Sequence, residues 1–104
     1  MKKRPDNIYK NKYFEHLLSV LMDIGDSATM EDFLVGLLTV KELQELPLRL
    51  EIVSRLLKGE SHHNIAQDLS VGVATVTRGS KELQEGRFKI LKERLSYIPP
   101  FYNK

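Results

Sequence analysis

This sequence predicts an all-α fold, short helices arranged around a helix-turn-helix, on three observations. Apolar residues recur at helical spacing from Lys12 to Leu95. Capping side chains and glycines punctuate that pattern, each marking a start or a stop. No strand-like alternation, internal repeat or low-complexity tract interrupts it.

The 104 residues suffice for one domain, and no apolar run is long enough to span a membrane. A basic start, MKKRPDNIYK, is not followed at once by an apolar run, so no signal peptide is expected. The absence of cysteine excludes disulfides and thiolate metal sites and suits a cytoplasmic protein. A net charge of +2 is too small to argue for nucleic acid by itself. Its distribution says more. In the first twelve residues Lys2, Lys3, Arg4, Lys10 and Lys12 stand against Asp6 alone, giving +4 and leaving −2 for the rest. Residues 1–11, with Pro5 and no apolar period, read as a flexible basic arm, equally suited to touching DNA or to being a solvated tail. Residues 12–104 form the helical domain.

A first helix over 12–24 carries Phe14, Leu17, Leu18, Leu21 and Met22, and Gly25 suits its C-cap. Ser27 or Thr29 can cap a second, whose face is Phe33, Leu34, Leu37 and Leu38. Thr39 and Glu42 make a capping box that opens a third, short helix with Leu43 and Leu46. Pro47 is expected to end that helix and to start a fourth, with Leu48, Ile52, Val53, Leu56 and Leu57, closed by Gly59. A seventh follows Gly86 with Phe88, Ile90, Leu91 and Leu95, and stops before Pro99-Pro100.

Between them, at about 61–84, lies the pair on which the chain is organised. Ser61 caps a helix whose narrow face is Ile65, Ala66 and Leu69. Ser70-Val71-Gly72 is the turn, with Val71 buried at the elbow. Gly72 then opens a second helix whose inward face is Val76, Gly79 or Ser80, and Leu83. Small Ala66 permits a close, steep crossing. This spacing is that of a DNA-binding helix-turn-helix, with a plain helical hairpin as the bland alternative.

On the second helix Val73, Ala74, Thr75, Thr77 and Lys81 are candidates for DNA contact. Threonine hydroxyls suit phosphate oxygens, and Val73 or Ala74 can meet a thymine methyl. Gly72 and the helix N-terminus can bring backbone N–H groups to phosphate. His63 can donate to a base or phosphate. His62 and His63 are adjacent, do not share a helix face and have no third ligand nearby, so no metal site is expected. Charges over 58–83 balance, so binding should rest on placed contacts, the basic arm adding salt-sensitive affinity. The first two segments are too apolar for a small monomer to cover. A homodimer answers that need, and would offer two recognition helices to a pseudo-palindromic operator. No Ser/His/Asp set or carboxylate pair points to an enzyme.

Gly79 is unusual, since glycine inside a helix costs ~1 kcal/mol relative to alanine. The space it leaves beside Arg78 could admit another backbone or a small ligand. ATVTRGS (Ala74 to Ser80), LxxGE (Leu56 to Glu60) and LTxxE (Leu38 to Glu42) together resemble the tryptophan repressor family, over about residues 14–85. The resemblance implies an intertwined homodimer that binds operator DNA when L-tryptophan is bound as corepressor. It implies that Arg49 and Arg78 sandwich the indole, one of them clamping the carboxylate. It places the pocket between subunits, with backbone carbonyls near Leu38 and the Thr39 hydroxyl completing it and Gly79 leaving space. It also matches Gly72, Val73, Ala74, Thr75, Thr77 and Lys81 to operator-contacting positions.

Three departures from the family stand out. Position 63 carries histidine where the family has a basic residue. The loop between Gly59 and Ile65 is one residue shorter. Glu82 replaces a serine near the ligand's ammonium, so its carboxylate could pair with that ammonium, or face solvent and bond Lys81 or Lys89. Two further readings stay open: a regulator of this fold with no corepressor or a different one, and a helical protein-interaction module.

Overall fold

The computed structural model describes residues 11–94, which form six α-helices. They are α1 (Lys12–Asp23), α2 (Ser27–Leu37), α3 (Val40–Leu57), α4 (His62–Leu69), α5 (Val73–Gln84) and α6 (Lys89–Glu93). The chain divides between Glu45 and Leu46 into two compact units. The expected basic arm, except Asn11, and the end of the last helix at Leu95 to Pro100 lie outside the described residues.

In the first unit each helix begins with a side chain that satisfies orphan amides. Asn11 Oδ1 accepts from the N–H groups of Tyr13 and Phe14, both at 3.0 Å. Asp26 caps α2: one carboxylate oxygen accepts from the Thr29 amide at 2.9 Å, the other from the Thr29 hydroxyl at 2.7 Å. These bonds, the backbone one first, hold the Asp26 carboxyl below its ordinary range. The cap is therefore neither Ser27 nor Thr29, because a carboxylate one residue earlier can accept twice. Gly25 is not a left-handed cap either. α1 closes at Ile24 in extended backbone, whose N–H donates to the Leu21 carbonyl at 3.3 Å.

α1 and α2 bury no residue. Tyr13, Leu18, Met22, Val35 and Leu37 are all exposed, Met22 at 84%. Their apolar faces are formed as the periodicity predicts, but none of their residues is buried.

The Thr39 capping box is present. The Thr39 amide donates to Glu42 Oε1 at 2.9 Å, and the Glu42 amide donates to Thr39 Oγ1 at 3.1 Å. The helix it starts does not end at Pro47. α3 runs unbroken for 18 residues with the proline inside it, merging the expected third and fourth helices. Proline removes the amide that would have met the Leu43 carbonyl. The capping box upstream and core packing of Ile52 and Val53 downstream carry the helix across that defect.

In the second unit Ile52, Ile65, Ala66 and Val76 form the core, with Leu48, Leu56, Leu69 and Val71 packed against it. Ile65 and Val76 are fully buried, so α3, α4 and α5 meet through β-branched side chains of restricted rotamer. Three helix ends close in the same way, with paired bonds around a left-handed residue. After α3 this is Gly59 at φ 91°, with Glu60 N–H on the Arg55 carbonyl at 3.1 Å and Gly59 N–H on that of Leu56 at 3.0 Å. Gly86 at φ 89° does the same after α5. After α4 the residue is Ser70, at φ 56°.

Candidate nucleic-acid interface and ligand residues

The α4–α5 pair is a helix-turn-helix in its local chemistry. Ser61 Oγ accepts from the Asn64 amide at 3.1 Å and starts α4. The chain turns at Ser70, where Val71 N–H donates to the Ala66 carbonyl at 3.0 Å. Val71 is half-buried against the core rather than fully buried. Gly72 opens α5 in extended backbone without any side-chain cap. Gly72, Val73, Ala74 and Thr75 are all exposed, and nothing lies within 4 Å of where a Cβ would stand on Gly72. The N-terminal amides of α5 thus stand at an open end with partial positive charge.

Outward from the core, Thr75, Arg78 and Lys81 are exposed. Thr77 is half-buried and sits 3.5 Å from His62 Nδ1, which couples α5 to the first turn of α4. His63 is exposed beside it. Across the back of α4, Arg55 is an anchor that sequence reasoning missed. Its guanidinium takes Glu51 at 2.8 Å, approaches Glu60 at 3.8 Å and bonds Asp68 on α4. The hydrogen bonds to Glu51 and then Asp68 push the Arg55 pKa further up. Asp68 is thirteen residues from Arg55, a separation with no local signature.

The ligand candidates divide between the units. In the first, Leu38 is the half-buried C-cap of α2, and the Thr39 hydroxyl accepts within its capping box, leaving its own hydrogen to donate. In the second, Arg49 and Arg78 are both exposed. Arg49 lies one turn before Ile52 and Val53 on α3. Gly79 faces those same residues: a Cβ there would stand 3.5 Å from Ile52 Cγ2 and from Val53 Cγ2, and 3.7 Å from Leu56 Cδ1. The missing side chain therefore leaves a gap about one methyl wide between α5 and α3, at ordinary contact distance.

Glu82 is held by neither Lys81 nor Lys89 but by Arg87. Arg87 Nε lies 3.2 Å from Glu82 Oε1, and Arg87 Nη1 donates to Glu85 Oε1 at 3.1 Å. The first contact is one of charge rather than an aligned hydrogen bond, with Oε1 shielded from solvent. Helical spacing could not reveal it. Arg87 is five residues from Glu82, and only the left-handed turn at Gly86 brings it back.

Among the described residues no group of three His, Cys, Asp or Glu is placed to hold a metal ion. No helix among them is long and apolar enough to cross a membrane.

Comparison with known proteins accounts for this arrangement. The family described as Trp repressor protein matches residues 12–96. A "Trp operon repressor homolog" of Vibrio parahaemolyticus is 35% identical over 92 residues, covering 82% of this chain and 89% of its own. One from Vibrio campbellii is 39% identical over 74 residues, 70% of this chain and 74% of its own. One from Vibrio vulnificus reaches 52% over 52 residues, 49% of this chain and 51% of its own. No solved structure gives a significant match. With the family spanning all six helices and the helix-turn-helix at its centre, the chain belongs to the Trp repressor protein family.

Proposed function

We propose that this trp-type repressor binds a pseudo-palindromic operator as a homodimer, with L-tryptophan as its corepressor. The observation that carries the reading is the open end of α5. Gly72 to Thr75 are exposed and uncapped while Val76, immediately after, is fully buried. One face of the helix fixes its position and the other is available to DNA. In this reading Gly72 and the first amides of α5 take a phosphate. Thr75, Thr77 and Lys81 position the backbone, and Val73 and Ala74 meet base edges. His63 adds a donor at the start of α4.

The homodimer is supported by α1 and α2, which bury nothing and present Leu18, Met22 and Val35 to solvent. A second copy supplies the cover, and two-fold symmetry presents two copies of α5 to half-sites about one helical turn apart. Arg49 and Arg78 would hold the indole ring and carboxylate, through stacking and bidentate pairing. Gly79 and, from the second copy, Leu38 and Thr39 would shape the rest of the pocket between subunits, with Glu82 near the ammonium. Tryptophan then favours the dimer geometry that fits DNA, and operator DNA must tighten tryptophan binding by the same factor.

Isothermal titration with L-tryptophan, L-phenylalanine and L-tyrosine tests the corepressor. Saturable binding selective for tryptophan is expected. Binding of none of them, alongside salt-dependent DNA binding, would indicate a regulator of this fold with another effector or none. Absence of any DNA binding would leave a protein-interaction module.

A further inference from the structure

We propose that Arg87 sets ligand specificity by screening Glu82, so that a ligand's ammonium must take Glu82 away from it. This rests on the reading above that places the ligand beside Arg78, Gly79 and Glu82. On α5 Arg78 and Glu82 lie at i and i+4, a cation and an acid on neighbouring turns, with the methyl-wide gap at Gly79 toward α3 beside them. Such a pair meets the two charges of a zwitterionic amino acid with opposite charges one helical turn apart.

The acid end is already occupied. Arg87 is fixed on Glu82 twice, its backbone N–H on the Glu82 carbonyl at 3.1 Å and its Nε 3.2 Å from Oε1. Its other arm holds Glu85. Arg87 is thus shared between two carboxylates. All three are half-buried, with relative exposures of 25% for Glu82, 30% for Glu85 and 32% for Arg87. A ligand's ammonium can therefore compete for Glu82, provided Arg87 can yield. Glu85 lets it do so: Arg87 keeps an aligned partner when an ammonium claims Glu82. A ligand lacking the ammonium leaves the pair intact and incurs no penalty of an uncompensated acid. The arrangement thus narrows the discrimination between an amino acid and its deaminated analogue, and Arg87 acts through Glu82 without touching the ligand.

The test is titration of L-tryptophan and indole-3-propionate, which keeps the ring and carboxylate but lacks the ammonium, into full-length protein. Arg87→Gln should raise the ratio of tryptophan to indole-3-propionate affinity roughly tenfold. Glu85→Gln should lower it roughly threefold by leaving Arg87 to Glu82. Glu82→Gln should lower it too, and the Glu82→Gln/Arg87→Gln double variant should match Glu82→Gln. Should Arg87→Gln not fold, Glu85→Gln decides alone. Ligand binding with an unchanged ratio in these variants overturns the role of Arg87 and leaves the corepressor reading standing. Failure of wild type to bind either ligand overturns both.

Discussion

Gly79 on α5 lies directly over Ile52 on α3, so that a Cβ on the glycine would meet Ile52 Cγ2 at 3.5 Å. The distance is that of ordinary contact, neither a clash nor a void large enough for a ring. Two consequences follow for Gly79→Ala. The methyl fits, adds contact with Ile52 and Val53 and removes the helix-propensity penalty, so stability should rise by up to ~1 kcal/mol. Occupying the gap beside Arg78 should at the same time weaken tryptophan by roughly tenfold. Thermal melts with and without tryptophan read both effects. A stabilised variant with unchanged tryptophan affinity would assign Gly79 to helix packing alone.

Ser70 is the one non-glycine among the three left-handed helix ends that share paired closing bonds. A side chain there is strained by ~1–2 kcal/mol, which the greater unfolded-state freedom of glycine partly offsets. Ser70→Gly should therefore stabilise by up to about 1 kcal/mol, and Ser70→Val should destabilise by more. Chemical denaturation at fixed protein concentration decides this, and a destabilised Ser70→Gly would show that the hydroxyl matters more than the backbone.

Lys81 and Thr75 are exposed on the outer side of α5. Lys81→Ala and Thr75→Ala should each weaken DNA binding while leaving tryptophan affinity of the free protein nearly unchanged. Loss of one phosphate contact at Lys81 should also reduce the slope of log affinity against log salt by ~1. An unaltered slope and affinity in Lys81→Ala would make that lysine a solvated charge and nothing more.

Much of this architecture was readable from local chemistry. The Thr39–Glu42 box, the Ser61 cap and the left-handed stop at Gly59 each depend on residues within one turn of each other. Val76 and Ile65 followed from periodicity, and both are fully buried. The reading failed where distant packing outweighed a local signal. Pro47 looks like a boundary, yet α3 passes through it because its downstream half carries the buried Ile52 and Val53. Arg55 with Asp68, and Arg87 with Glu82, escape any helical spacing rule, since a turn lies between the partners. Glu82 was singled out as a departure from the family pattern, but the arginine beside it was not.

Met22, 84% exposed on a helix that buries nothing, marks the face a second copy should cover. Sedimentation at micromolar concentration should find a dimer, and Met22→Glu with Leu18→Glu should dissociate or unfold it, since burying unpaired charge in an apolar interface is costly. A folded wild-type monomer would contradict the two-fold geometry of DNA binding.

Tryptophan-dependent recognition of a two-fold DNA site is most directly tested by selecting binding sequences from a random duplex library, with and without L-tryptophan. Recovery of a pseudo-palindromic motif, its half-sites about one helical turn apart, only when tryptophan is present is the predicted result. The same motif recovered equally well without tryptophan, or no motif in either case, would contradict it.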